Sequence, residues 1–442
     1  MAVPAGGSSP QPEPRSALNL ALTRVVVCLL VLSSSELWDA ARWAEAGRAL
    51  RAPALGLGWA LPLLDASAGW VLAAQLSCAA GCVLGVLGWR CRWSLGVGAA
   101  SALVLFALPQ FTGGARHSMH LVWFLALLAF SPCDLRLRLR WWNEPSAGVE
   151  AARGLRLSLY AFWALLAAVY FFPGFWKLRE SGSAWIWSDN LQNQMFWKWY
   201  QFGSVPGWRP DAHPTLLRLA ALGVVSFELG FALLSSGRWG RLCAAGLGTA
   251  FHWAATELLF LPYQALLGCY VVLIDWEWIW AWLQDRRLDM PRSSQPSPAP
   301  RALAVAASLL VGGAVIAGAS GEMRAYPFAC YPTFQWLAPP DMPDLWIAVV
   351  HEGKERWLAD SPAHGGARPQ SRWGMAWRAS GVYGGGVQLD RLIGYYLTLP
   401  AQLRGAVAPG DTLRFYAARV LVRPEDWREP PLSLQQIGEW TP

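Results

Sequence analysis

The sequence predicts an all-α polytopic membrane protein of about nine transmembrane helices, with a small C-terminal β-rich extracytoplasmic domain. Three observations carry that reading. Of 442 residues, 54% are hydrophobic and only 15% are charged, with a mean hydropathy of +0.27. Uncharged runs of about 20 residues recur, the length that crosses a ~30 Å hydrocarbon core. The 29 tryptophans suit the interfacial belts where an amphipathic ring is at home.

The elements follow in chain order. Residues 1–15 are rich in Pro, Ser and Gly and read as disordered. The apolar run behind them lacks a small-x-small cleavage site followed by a soluble domain, so it reads as an uncleaved first span. Nine spans are expected near 17–35, 68–89, 93–112, 117–133, 155–174, 214–236, 241–260, 262–282 and 301–320. GGAR (113–116) makes a tight turn between the third and fourth, and Leu261-Pro262 joins the seventh and eighth, which makes eight spans an alternative. Residues 16–290 form the bundle, and 291–320 hold a Pro/Ser linker and the last helix.

From 321 to 442 the pattern changes to strands. DLWIAVVHEGKERWL (344–358) alternates, breaks at Glu352-Gly353 and alternates again, which predicts a hairpin. DTLRFYAARVLVRP (411–424) predicts a further strand, and SPAHGGARPQ (361–370) an exposed loop. GGG at 384–386 reads as a turn.

Loop charges give the orientation. With the N-terminus inside, fourteen arginines fall on the cytoplasmic side and eight basic residues on the other, so the C-terminal domain lies outside. RLRLRWW (136–142) is the strongest cytoplasmic mark. The basic side chains are 33 Arg and 3 Lys, a skew that points to a GC-rich bacterial genome and hence to the cell (inner) membrane. Net charge +7 and pI ≈ 9.1 would suggest nucleic acid in a soluble chain, but here the excess sits in short loops. The expected partner is therefore the lipid bilayer and not a nucleic acid. Eight scattered cysteines show neither metal-binding nor disulfide spacing. No phosphate-cradling loop, Ser-His-Asp set or HExxH motif is present.

Polar groups inside spans are costly, by roughly 2.5–3.5 kcal/mol for a central charge, and so are functional candidates by default. They are Arg24, His117, His120, Lys177, Glu228, His252 and Glu257. Each also has a structural reading. Arg24 can snorkel or pair with Glu228, His117 can sit at the interface, His252 can bond a neighbouring helix, and Lys177 can anchor the interface. As a set they suit proton chemistry on an apolar substrate. A lysine removed from water can act as a base, which an arginine cannot. Lys198, flanked by tryptophans in MFWKWY, reads instead as an interface or cation–π residue.

Three local patterns at these residues have a family likeness. They are Gly174 followed by Phe175-Trp176-Lys177-Leu178 and a tryptophan-bearing segment; the acid in SFELGFALL (226–234); and FHWAATELLF (251–260). With His120 leading LVWFLALLAF, the chain resembles the vitamin K-dependent γ-carboxylase-like family, including the bacterial HTTM (horizontally transferred transmembrane) proteins, over residues 16–290. The resemblance implies a quinol of the vitamin K or menaquinone type as cofactor. It also implies Lys177 as the base that deprotonates it, with His252, Glu228 and His120 tuning it or relaying protons. Trp176 stands where the family has another lysine, and the region after 320 is too short for the family's large luminal domain. Two functions follow as expectations: a quinol-linked carboxylase- or epoxidase-like enzyme, or a non-catalytic protein that binds a quinone or lipid or supports a partner complex. No particular protein partner is implied.

Overall fold

The computed structural model of the chain describes residues 17–44, 48–52, 69–112, 118–139, 149–284, 300–322, 325–330, 334–366, 368 and 370–442. The expected disorder at 1–15, the GGAR turn, His117 and most of the Pro/Ser linker lie outside them.

The helices of the bundle are α1 (Ala17–Leu32), α2 (Gly69–Leu87), α3 (Cys91–Leu105), α4 (Met119–Phe130), α5 (Val149–Ser181), α6 (Asn190–Phe202), α7 (Pro214–Leu234), α8 (Arg238–Leu259), α9 (Gln264–Gly268), α10 (Trp276–Leu283) and α11 (Arg301–Ser320). Among the described residues, five helical stretches are long and apolar enough to cross a membrane: α2, α3 with its extension to Phe111, Gly154–Ser181 within α5, α7 and α11. The stretch Gln264–Leu273 meets α10 at a 64° bend and makes a sixth if the two are one broken span. Of the other expected spans, α1 and α4 are apolar but only 16 and 12 residues long. The third, α8, spends four of its 22 residues on Arg238, Arg241, His252 and Glu257. It ends where Phe260 turns left-handed, at φ 53°, two residues before Pro262.

Arg24 does not pair with Glu228. It is fully buried and donates to the carbonyls of Cys133 at 2.6 Å and Leu137 at 2.5 Å, fixing the chain that leaves α4. A guanidinium serves there because its fork reaches two carbonyls at once.

Four strands follow the bundle: β1 (Asp341–His351), β2 (Lys354–Trp357), β3 (Thr412–Leu421) and β4 (Ser433–Trp440). They form an antiparallel sheet in the order β2-β1-β3-β4. The expected hairpin is present. His351 pairs with Lys354, and Glu352 and Gly353 both take positive φ, 48° and 76°. Two positive-φ residues make the primed turn that matches strand twist.

Both faces of the sheet are covered, which explains why β1 is buried almost without alternation. Leu345, Ile347, Leu413 and Phe415 pack with the helices Gln370–Ala379 (α12) and Leu389–Leu397 (α13). Met342, Trp346, Ala418 and Val420 pack on Met195, Phe196 and Trp199 of α6. Helix α6 is therefore an interior layer between bundle and sheet, and not the surface segment its tryptophans suggest.

The loop 361–370, expected to be exposed, is tucked in at the residues that matter. Ser361 and Arg368 are 0% and 1% exposed. Arg368 forms ion pairs with Asp344 and, at 3.0 Å, with Asp360. Asp344 also accepts from Ser361 Oγ (2.8 Å), Trp346 Nε1 (2.9 Å) and, from α6, Tyr200 Oη (2.9 Å). Burial pushes the Asp360 carboxyl up to about 6 and the nearby His364 imidazole down to about 4. In each case desolvation penalises the charged form.

Candidate functional site

Lys177, Glu228 and His252 line one cavity inside the bundle, and local sequence explains how they meet. Val169, Tyr170, Pro173 and Lys177 share the face of α5 that lines it. Pro173 has no N–H, so the Val169 carbonyl lacks its helical donor, a defect tolerated where a helix borders a cavity. At the next position, Gly174 lets α7 approach: a Cβ there would lie 2.8 Å from Glu228 Cβ.

That approach brings Glu228 to Lys177. The ammonium donates to both carboxylate oxygens, at 2.5 and 2.7 Å, with the two side chains only 4% and 6% exposed. The Trp185 ring lies 5.1 Å from Nζ and adds a cation–π contact. Burying two ions costs several kcal/mol each, and only close geometry with further bonds offsets it. The result is a net-neutral pair that places a separated cation and anion in an apolar space.

His252 brings a third polar group. Its Nε2 lies 2.5 Å from Tyr170 Oη, which also hydrogen-bonds Tyr270 Oη. Gly248 makes this possible, because a Cβ there would collide with the Tyr270 hydroxyl. The Tyr263 ring stands 5.0 Å from the imidazole. His252 Nδ1 is buried with no hydrogen-bond partner among the described residues. Such orphaned atoms are rare in folded proteins and call for a reason.

The fourth expected residue, His120, does not line the cavity. It is buried at the start of α4, edge-on to Phe124 at 6.2 Å and within electrostatic range of His252. Glu257 is exposed on another face of α8, as its spacing from His252 predicts. Lys198, half-buried on α6, lies over the Phe334 ring at 5.6 Å and donates to Gln201 Oε1 at 2.9 Å.

The cavity measures about 100 Å³ and is otherwise lined mainly by aliphatic and aromatic side chains. Phe334 lines it as the first residue of a strap, 334–339, that leads into the sheet. Side chains of 181–197 bond five of the strap's six carbonyls: Trp185 Nε1 to Phe334 O at 2.6 Å, Ser181 Oγ to Gln335 O at 2.7 Å, and Gln194 Nε2 to Trp336 O at 3.2 Å. Asn193 Nδ2 bonds Ala338 O at 2.7 Å, and Trp197 Nε1 bonds Pro339 O at 2.9 Å.

Reading charges alone missed Tyr170, Tyr270, Tyr263 and Trp185. The signal for the first was present as a hydroxyl in the apolar run ALLAAVYFF. Chemically, the site offers a carboxylate that can accept a proton, a cation that can hold the anion left behind, and an imidazole with one ring nitrogen unused. No protein-family model matches this chain, and neither a curated protein nor a solved structure matches it.

Proposed function

We propose that this chain is an integral membrane protein of the vitamin K-dependent γ-carboxylase-like, HTTM type. In this reading it has about nine membrane passages, a cytoplasmic N-terminus and an extracytoplasmic C-terminal domain in the cell inner membrane. It takes a proton from a weakly acidic hydroxyl of an apolar, quinol-type molecule. The observation that carries this reading is the buried Lys177–Glu228 pair beside an apolar cavity. A structural ion pair could be replaced by apolar packing at little cost, whereas a pair facing empty space is available to a ligand.

The residues fit a quinol head group in chemistry. Tyr263, Trp185 and Phe334 supply ring contacts, and Lys177, Glu228 and His252 supply polar ones. A quinol would bring an acidic hydroxyl and reducing equivalents. The protein's part is then proton transfer. The hydroxyl proton passes to a Glu228 oxygen, and Lys177 keeps its three protons and pairs with the oxygen left negative. The acceptor is thus the pair, with Lys177 as the electrostatic partner and not a neutral base. Tyr170 fixes the His252 ring, which leaves Nδ1 free to bond a second ligand oxygen. General-base contributions of this kind are worth about 10²–10⁴-fold in rate.

The second reading is a non-catalytic quinone- or lipid-binding protein, and the cavity's volume constrains both readings. The cavity of about 100 Å³ is smaller than the ~150 Å³ of an engineered apolar cavity that binds benzene. A bicyclic head group therefore enters only if a lining side chain moves. The test is turnover of reduced menaquinone or vitamin K hydroquinone by the protein in lipid, followed as quinol consumption and epoxide formation. Wild-type turnover that drops at least a hundredfold in both Lys177→Met and Glu228→Gln is the expected result. No turnover with any quinol sinks the enzymatic reading, and saturable quinone binding without turnover establishes the second.

A further inference from the structure

A second polar cluster lies at the far end of the bundle from the sheet. Helix α8 ends beside α6, where Trp199 Nε1 donates to Leu258 O at 2.7 Å. Its first residue, Arg238, is therefore about 30 Å away along a rise of ~1.5 Å per residue. Arg238 and Arg241 are three residues apart, on adjoining positions of one helical face.

Both guanidinium groups are held by rings. Arg238 lies 4.0 Å from the Trp278 ring centroid and 5.5 Å from that of Trp239, and Arg241 lies 4.0 Å from that of Trp163. Trp163 is itself fixed by Nε1 donating to Val272 O at 3.0 Å. What Arg238 lacks among the described residues is a hydrogen-bond acceptor for two of its nitrogens. Arg238 Nε and Nη2 are buried without a hydrogen-bond partner among the described residues. Among the described residues the carboxylate of Asp275 stands 3.9 Å from Arg238 and uses its other oxygen to cap α10 through Trp278 N at 3.1 Å. Among the described residues, two ring-held cations face one carboxylate that is shared with a helix cap.

We propose that Arg238 and Arg241 bind the phosphate of an anionic phospholipid. Planar, ring-stacked guanidinium groups are preorganised for a phosphate's paired oxygens, whereas a merely orienting arginine would be free to snorkel. The lipid is favoured over free phosphate by what runs below the cluster. Trp239, Leu247 and Trp253 are 66%, 54% and 66% exposed, and with Cys243, Gly246 and Ala250 they form an outward apolar stripe along α8. Gly246 has no neighbour close to where a Cβ would sit, so the stripe is shallow and open enough for an acyl chain. The head group meets the arginines and the tail lies on the stripe. This site is separate from the cavity and does not depend on the function proposed for it.

The test uses the full chain in detergent, titrated with phosphatidylglycerol or phosphatidylcholine, with bound lipids counted by native mass spectrometry and stability read by thermal melting. One phosphatidylglycerol is expected to be retained in preference to phosphatidylcholine. Its binding should fall on the order of tenfold or more in the Arg238→Gln/Arg241→Gln pair. Arg156→Gln, an exposed arginine on α5, should leave it unchanged. The Arg238→Lys/Arg241→Lys variant keeps the charge but not the fork, and should bind severalfold more weakly while folding normally. Equal binding in wild type and the Gln pair overturns the proposal, as does equal binding in the Lys pair. Inorganic phosphate at millimolar concentration that matches the stabilisation by phosphatidylglycerol overturns the lipid assignment.

Discussion

Among the described residues there are two buried ionic centres, and they are built on different plans. In the C-terminal domain, Arg368 joins Asp344 and Asp360, and Asp344 is surrounded by Ser361, Trp346 and Tyr200 as donors. In the bundle, Lys177 and Glu228 hold each other with little else, beside about 100 Å³ of unfilled space. Both remove charges from water, but the first gathers donors from several elements around Asp344, leaving Asp360 Oδ1 without one among the described residues, whereas the second borders a cavity. A network of many donors fixes one arrangement, whereas a pair next to a void leaves an arrangement for a ligand to complete. Buried charge alone therefore does not mark a functional site; what surrounds it does.

The largest expected effect tests the networked centre. Arg368→Met strands two buried carboxylates against one another and should destabilise the C-terminal domain by about 3–5 kcal/mol, read as early loss of protease resistance at the sheet. A variant as resistant as wild type would remove the contrast between the centres. The open centre should behave differently in a double-mutant cycle. Lys177→Met and Glu228→Leu should each destabilise by roughly 3 kcal/mol, and the double variant should recover to within about 1 kcal/mol of wild type while losing ligand chemistry. Additive losses would mean that the pair is not coupled as its geometry indicates.

The smallest effect is a pH dependence at the networked centre. Asp360 has a raised folded value of about 6, so the stability from its protonated form is full at low pH and is lost as pH rises through 6. His364 is depressed to about 4, so its contribution is full above the usual histidine value and is lost as pH falls through 4. The two slopes oppose between those values, and thermal melts should be nearly flat from pH 4 to 6. Asp360→Asn should leave a fall in stability on acidification, and His364→Phe a rise. Parallel curves for the two variants would contradict both assignments.

What the sequence could show was local. The Glu352-Gly353 hairpin was legible because two adjacent residues suffice to specify a primed turn. Three of the four expected site residues share a cavity, because a charge in an apolar run is conspicuous wherever it falls. Partnerships were not legible. Lys177 and Glu228 are 51 positions apart, and nothing in either segment distinguishes that pairing from one with Arg24. SPAHGGARPQ has the composition of an exposed loop, yet Arg368 is buried because its partners come from β1 and, through Tyr200, from a helix more than 140 residues earlier. Strand β4 was missed for a similar reason. SLQQIGEW is an edge strand with four exposed residues at its start, and it owes its existence to β3 rather than to its own pattern.

The strap at 334–339 has a consequence for how this chain can vary. Five of its six main-chain oxygens, those of Phe334, Gln335, Trp336, Ala338 and Pro339, accept from Trp185, Ser181, Gln194, Asn193 and Trp197. A carbonyl is the same whatever side chain its residue carries. The strap's residues can therefore drift while the attachment persists, provided the donors stay. Insertion or deletion of a single residue shifts every oxygen out of step with its donor. Tolerance of substitution with intolerance of length change is the pattern of variation this attachment imposes.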